Sequence, residues 1–155
     1  METHEILKKV KSGEISLEEA ESYFKREPFY EMGFAKLDTH RKIRSGFGEV
    51  IFCSGKSDDH LFHIFERIYK QEGEVFGTKA SRKQYEMLAR KFPQVMFDEL
   101  SHIIKIEKEK KEKRGRVAVV TAGTADIPVA EEAAQTAEFF GTYVERIYDV
   151  GVSGI

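Results

Sequence analysis

The sequence holds a single cysteine, Cys53, which excludes an intramolecular disulfide framework and fits a reducing compartment. Long apolar runs are missing too: no stretch approaches the roughly 20 residues that a membrane helix needs. The opening Met-Glu-Thr-His-Glu lacks the basic and apolar regions of a secretory signal, so a cytoplasmic location is expected. Charge of one sign is also absent. With 25 basic and 27 acidic residues the formal net charge is −2, and neither nucleic acid nor an anionic membrane is given a global field to follow. Proline is scarce, and its three positions, 28, 93 and 128, fall at the ends and starts of helical patterns.

What is present is enough apolar material, 41% of 155 residues, for one ordinary domain or two small ones. The most informative stretch is Arg116-Val-Ala-Val-Val-Thr-Ala-Gly-Thr-Ala-Asp-Ile-Pro128. Its β-branched run without alternation predicts a parallel strand covered on both faces. Thr121 to Asp126 then turns to small and hydroxylic residues, which let backbone approach a ligand at Gly123. Pro128 suits the first turn of a helix, and Val129, Ala133, Ala137 and Phe140 repeat at helical spacing as a stripe for the sheet. A strand running into such a loop and a helix N-terminus makes an anion site, because unpaired N–H groups and the helix dipole point at its mouth. A phosphate-bearing ligand is therefore expected.

Upstream, Ile6, Leu7 and Val10 predict a short helix ended by Gly13, and Ser16 with Glu19 has the spacing of a capping box for a second. Residues 33–46 are dense in charge. Arg41 and Arg44 could share a helical face and grip an anion, or belong to a solvated turn. From Val50 an α/β rhythm starts: a strand at 50–52, a helix capped by Ser57 with Leu61, Ile64, Phe65 and Ile68 inward, and a strand at 74–78. A helix opened by Ser81 and Gln84 and two further strands, 95–97 and 103–106, complete the pattern. These readings predict an α/β chain with an N-terminal domain over 1–107, a charged linker over 108–115 and a second domain over 116–155. One helix and two parallel strands cannot cover both faces of a doubly wound sheet, so the second domain is expected to be truncated at its C-terminus.

Three patterns fail as motifs. Ser54-Gly-Lys-Ser57 lacks the leading glycine of a P-loop, since Val50 stands there, and Gly46-Phe-Gly48 lacks the third glycine of a dinucleotide fingerprint. His60 and His63 share a helix face without a third ligand for a metal. Cys53 could be an activated thiol beside Lys56 or a small apolar filler. Asp126 could act as a base, as an acceptor for a ribose hydroxyl, or as the helix N-cap.

Val119-Val-Thr-Ala-Gly-Thr-Ala-Asp-Ile-Pro-Val-Ala-Glu-Glu-Ala-Ala134 and Asp149-Val-Gly-Val-Ser-Gly-Ile155 closely resemble the LarB-type carboxylases, relatives of the PurE-type aminoimidazole ribonucleotide carboxylases. Phe34-Ala-Lys-Leu-Asp-Thr-His-Arg-Lys-Ile-Arg-Ser-Gly-Phe-Gly-Glu-Val-Ile-Phe52 looks like the leading domain of the same family, some of whose members carry a circadian phase modifier label. The resemblance implies a flavodoxin-like, PurE-like three-layer parallel sheet in the second domain. It also implies an enzyme of nickel-pincer cofactor synthesis, which carboxylates the pyridinium ring of nicotinic acid adenine dinucleotide and hydrolyses its phosphoanhydride. Carbon dioxide or bicarbonate would be co-substrate, with no organic cofactor and Mg2+ as a candidate ion. By position Thr121, Ala122, Gly123, Thr124 and Asp126, with Gly151 and Gly154, would bind the nucleotide, and the purine relatives imply a homo-oligomer. Ala125 replaces the second serine of the purine-enzyme loop, which argues against the purine substrate. The family's presumed cysteine nucleophile follows the Gly-Val-x-Gly-Ile segment and has no counterpart in these 155 residues, so the catalytic residues stay unknown.

Overall fold

The computed structural model describes residues 3–24, 29–39, 41, 45–108 and 112–151, and the chain divides into two compact units, 1–49 and 50–155. In the first unit α1 (Thr3–Ser12) ends at Gly13, whose φ of 75° suits a residue without Cβ. Helix α2 (Leu17–Phe24) opens on the expected capping box: Glu19 N–H donates to Ser16 Oγ at 3.1 Å, and Ser16 N–H donates to the Glu19 carboxylate at 2.8 Å. A hairpin follows that the charge-rich sequence does not announce. Strands β1 (Phe29–Glu31) and β2 (Lys36–Asp38) pair antiparallel, with Phe29 opposite Asp38, around a turn in which Gly33 takes φ 81°.

The second unit begins with a four-stranded sheet in the order β3-β4-β6-β5, formed by β3 (Val50–Phe52), β4 (Val75–Thr78), β5 (Met96–Asp98) and β6 (Ile103–Ile106). β3 and β4 run parallel and the remaining neighbours antiparallel. Helix α3 (Asp58–Glu72) links the parallel pair and buries Leu61, Ile64, Phe65 and Ile68, the four residues its sequence spacing selects. Ser57 Oγ caps it, accepting from His60 N–H at 3.2 Å. Helix α4 (Arg82–Ala89) opens with a full capping box between Ser81 and Gln84. Gln84 is buried and also donates from Nε2 to the Cys53 carbonyl at 3.1 Å, which ties the start of α4 to the end of β3.

After the charged segment come β7 (Arg116–Val120), a 3-10 turn (Thr124–Asp126), α5 (Ile127–Phe139) and β8 (Tyr143–Ile147). β7 and β8 are parallel neighbours with Val120 opposite Ile147, and α5 crosses between them, so this is a βαβ unit. The architecture is mixed α/β, as the sequence predicts. Two details differ from expectation. The β7 run should be covered on both faces, but α5 covers only the Val119, Val144 and Arg146 side; Val120 and Tyr143, on the other, are 56% and 52% exposed. The helical stripe is partly out of phase as well: Phe140 packs on the core as expected, but Val129 and Ala133 face outward, whereas Ala130, Ala134 and Phe139 are buried. The phase changes because α5 meets two surfaces, the β7–β8 pair and the four-stranded sheet, where Phe139 packs on Phe76 with ring centroids 4.6 Å apart. Lys79 pairs with Glu132 at the same junction.

Candidate functional site

β7 ends where its last ladder bonds hand over to the loop. Thr121 N–H donates to the Ile147 carbonyl at 3.0 Å, and the Thr121 side chain turns inward and is buried. Its Oγ1 accepts from Asp149 N–H at 3.1 Å, its carbonyl accepts from Val150 N–H at 3.1 Å, and the Ala122 carbonyl accepts from Gly151 N–H at 2.8 Å. Thr121, Ala122 and Gly151, nominated from two separate stretches of the sequence, are thus stitched together. Gly151 approaches so closely that a Cβ there would lie 2.4 Å from the Ala122 Cβ, which explains a glycine at this position.

Beyond this stitch the loop opens. Gly123 is extended, Asp126 N–H folds back to the Gly123 carbonyl at 3.3 Å, and Ile127 N–H to Thr124. The amides of Gly123, Thr124 and Ala125 have no acceptor among the described residues, and Ala122, Thr124, Ala125 and Asp126 are exposed. Asp126 occupies the N-cap position of α5 with helical backbone (φ −88°, ψ −10°), yet its side chain makes no capping bond. Of the three roles its sequence position allows, the cap is therefore not the one this geometry uses. Free amides at a helix start can hold a phosphate oxygen, and an uncommitted carboxylate beside them can accept from a hydroxyl. From Val117 to Glu145 the sequence has no Lys, Arg or His, so neutral donors would carry anion binding here.

Arg41 is exposed in the first unit, 3.9 Å from the Glu49 carboxylate; Arg44 and Gly154 fall outside the described residues. Cys53 is fully buried at the end of β3, where burial pushes its thiol up to about 12, so it is a space filler rather than an activated nucleophile. His63 pairs with Asp59 at 3.4 Å on α3. Among the described residues no group of three His, Cys, Asp or Glu side chains comes together in a way that could hold a metal ion.

A polar cluster beside the loop escapes sequence reading. Arg146 on β8 donates to Glu131 from Nε (2.9 Å) and Nη2 (3.0 Å), and to Glu138 from Nη1 and Nη2 (both 2.8 Å). The Tyr148 hydroxyl donates to Glu131 at 2.9 Å and Gln135 Nε2 donates to it at 3.1 Å. Hydrogen bonds from Arg146 hold both carboxyls below the usual range, and the two carboxylates push the guanidinium pKa up. Burial, and then the Glu131 carboxylate, raises the Tyr148 hydroxyl. The only local signal is Glu131 and Glu138, seven apart on one helix face; their partner comes from a different element.

The βαβ unit thus carries a small-residue loop with free amides at the carboxyl end of β7, the end at which open α/β sheets place ligands. Residues 29–109, just over half of the chain, match the LarB/PurE-like N-terminal domain, and the chain belongs to the LarB/PurE-like family. A relative in Methanocaldococcus jannaschii, the uncharacterized protein MJ0165, is 33% identical over 165 residues, an alignment covering 97% of this chain. The chain spans 62% of the length of that relative. The family is carboxylase-related, and among the described residues no helix is long and apolar enough to cross a membrane.

Proposed function

We propose that this chain contributes the leading domain and the nucleotide-binding loop of a LarB-type enzyme. That enzyme carboxylates the pyridinium ring of nicotinic acid adenine dinucleotide and hydrolyses its phosphoanhydride, releasing AMP. The observation that carries the reading is the set of open amides at Gly123, Thr124 and Ala125 beside the uncapped Asp126 carboxylate, in a chain of this family. The amides suit a phosphate oxygen and Asp126 suits a ribose hydroxyl. Thr121 does not face the ligand in this arrangement; its buried hydroxyl fixes Asp149 behind the loop. Gly151 backs the loop through Ala122, and by the resemblance Gly154 would take part in holding the nucleotide. A cytoplasmic homo-oligomer using carbon dioxide or bicarbonate fits the same reading.

A second reading is nucleotide binding without turnover: the open amides and the Asp126 carboxylate account for holding a nucleotide and assign no described residue a chemical step. The test is to incubate the protein with nicotinic acid adenine dinucleotide and bicarbonate, assay for AMP and the dicarboxylated mononucleotide, and titrate binding by calorimetry. Products support the enzyme. Saturable binding without products supports the second reading. Absence of both removes the nucleotide assignment. Turnover of aminoimidazole ribonucleotide instead would restore the purine alternative.

A further inference from the structure

Past the end of β8, the segment from Asp149 to Gly151 is held from two sides. On one side its amides bond to Thr121 and Ala122, as described. On the other, Tyr148 reaches α5 and donates its hydroxyl to Glu131 at 2.9 Å. Between the two anchors Asp149 stands at φ 59°, the left-handed conformation, which carries some strain for a residue with a Cβ, although Asp adopts it more readily than most. Glu131 is itself immobilised by the Arg146 guanidinium and by Gln135, and Arg146 by Glu138.

We propose that Glu131 is a positioning residue for the nucleotide mouth, acting through the Tyr148 hydroxyl on the Asp149–Gly151 segment. The inference rests on the nucleotide reading of the Gly123–Asp126 loop. Without the Tyr148 bond, one anchor of the segment is gone and the left-handed Asp149 is free to relax. The Gly151 amide then leaves the Ala122 carbonyl, and the loop loses its backing directly before the open amides. Asp126 and the amides would still be present, but no longer held in one arrangement, and affinity falls with preorganisation.

The test compares the whole chain with Tyr148→Phe, Glu131→Ala and Glu131→Gln. Calorimetric titration with nicotinic acid adenine dinucleotide is combined with amide hydrogen exchange of the unliganded proteins. Tyr148→Phe and Glu131→Ala should weaken binding about tenfold, the worth of one well-placed hydrogen bond. Glu131→Gln, whose amide oxygen still accepts from Tyr148, should recover most of the affinity. Exchange should quicken at the Asp149, Val150 and Gly151 amides while the four-stranded sheet keeps its protection. Tyr148→Phe binding as tightly as the parent, or Glu131→Gln as weakly as Glu131→Ala, would overturn the positioning role and leave the nucleotide reading standing. Failure of the parent chain to bind would overturn the nucleotide reading, and the positioning role with it.

Discussion

Gly151 and Ala122 are packed backbone to backbone: the Gly151 N–H donates to the Ala122 carbonyl at 2.8 Å, and a Cβ added to Gly151 would fall 2.6 Å from the Ala122 Cα and from its carbonyl oxygen. No rotamer relieves a clash made by the Cβ itself. Gly151→Ala must therefore push the Asp149–Gly151 segment off the loop, and overpacking of this kind costs about 1–3 kcal/mol. A lower thermal midpoint with weakened nucleotide binding is expected. Gly123→Ala makes the control for stability alone, since a Cβ at Gly123 meets nothing within 4 Å. Equal stability of Gly151→Ala and the parent would contradict the packing.

Asp126 gives a sharper separation of stability from binding. A side chain acting as N-cap costs about 1 kcal/mol when replaced by alanine, but this carboxylate makes no capping bond. Asp126→Ala should leave the denaturation midpoint within about 0.5 kcal/mol of the parent, as for a surface substitution that breaks no contact. Nucleotide affinity should fall by about tenfold if the carboxylate accepts from a ribose hydroxyl. Unfolding in urea and calorimetric titration on the same preparation check both halves, and a large stability loss would return Asp126 to the role of cap.

The parts of the fold legible in the sequence are those specified within a few residues. Ser57 and Ser81 announce their helices because the cap and its amide are three apart, and the α3 stripe is read from spacing alone. The β1–β2 hairpin is hidden because its strands are three residues long and β1 is exposed throughout, so no alternation exists to be read. The Thr121 to Asp126 loop is legible as small residues between a strand and a helix. Its stitching to Asp149–Gly151 is not, since that depends on which strand lies beside β7. For the same reason the cluster of Glu131, Arg146 and Tyr148 is silent: Arg146 and Tyr148 lie 15 and 17 residues from Glu131 and meet it only across the βαβ unit.

That cluster predicts a pH dependence. In the folded state Arg146 holds the Glu131 and Glu138 carboxyls below their ordinary value of 4.5, so their contribution is fully present above that value and is lost as pH falls through the lowered values. Arg146→Ala should cost about 1–2 kcal/mol at neutral pH, where partly exposed side chains share several charge-assisted bonds. The difference between parent and variant midpoints should shrink as the pH is brought from 7 down through the acid range below 4.5. Thermal scans across that range decide it; a difference constant with pH would assign Arg146 a packing role only.

The four-stranded sheet permits a double-mutant test of the buried thiol. Gly77 on β4 sits under Cys53 and Ile104, and a Cβ there would lie 2.8 Å from Cys53 Sγ and 2.9 Å from Ile104 Cγ2. Gly77→Ala should destabilise by about 1–3 kcal/mol. Cys53→Ala removes the sulfur that creates half of this clash, so the pair should be non-additive, with coupling on the order of 1 kcal/mol. With its thiol pushed up to about 12 and no solvent access, Cys53 should also resist a thiol reagent at pH 8 until denaturant is added. Rapid modification of the folded protein would break the link between burial and inertness.

The open face of the βαβ unit carries the last expectation. By the register, Arg116, Ala118 and Val120 of β7 share one face with Tyr143, Glu145 and Ile147 of β8, opposite the side that Arg146 joins to α5. Val120, Tyr143 and Ile147 are 56%, 52% and 37% exposed there, an apolar surface that parallel strands rarely leave in water. Such a face should bind an environment-sensitive hydrophobic dye and promote association as concentration rises. Ile147→Lys adds a charge without breaking a described hydrogen bond or ion pair of the Ile147 side chain. It should reduce both signals while changing stability by no more than about 0.5 kcal/mol. Dye fluorescence and sedimentation velocity over a concentration series measure the two signals. If both are unchanged in Ile147→Lys, association proceeds through another surface, and the apolar face has no part in it.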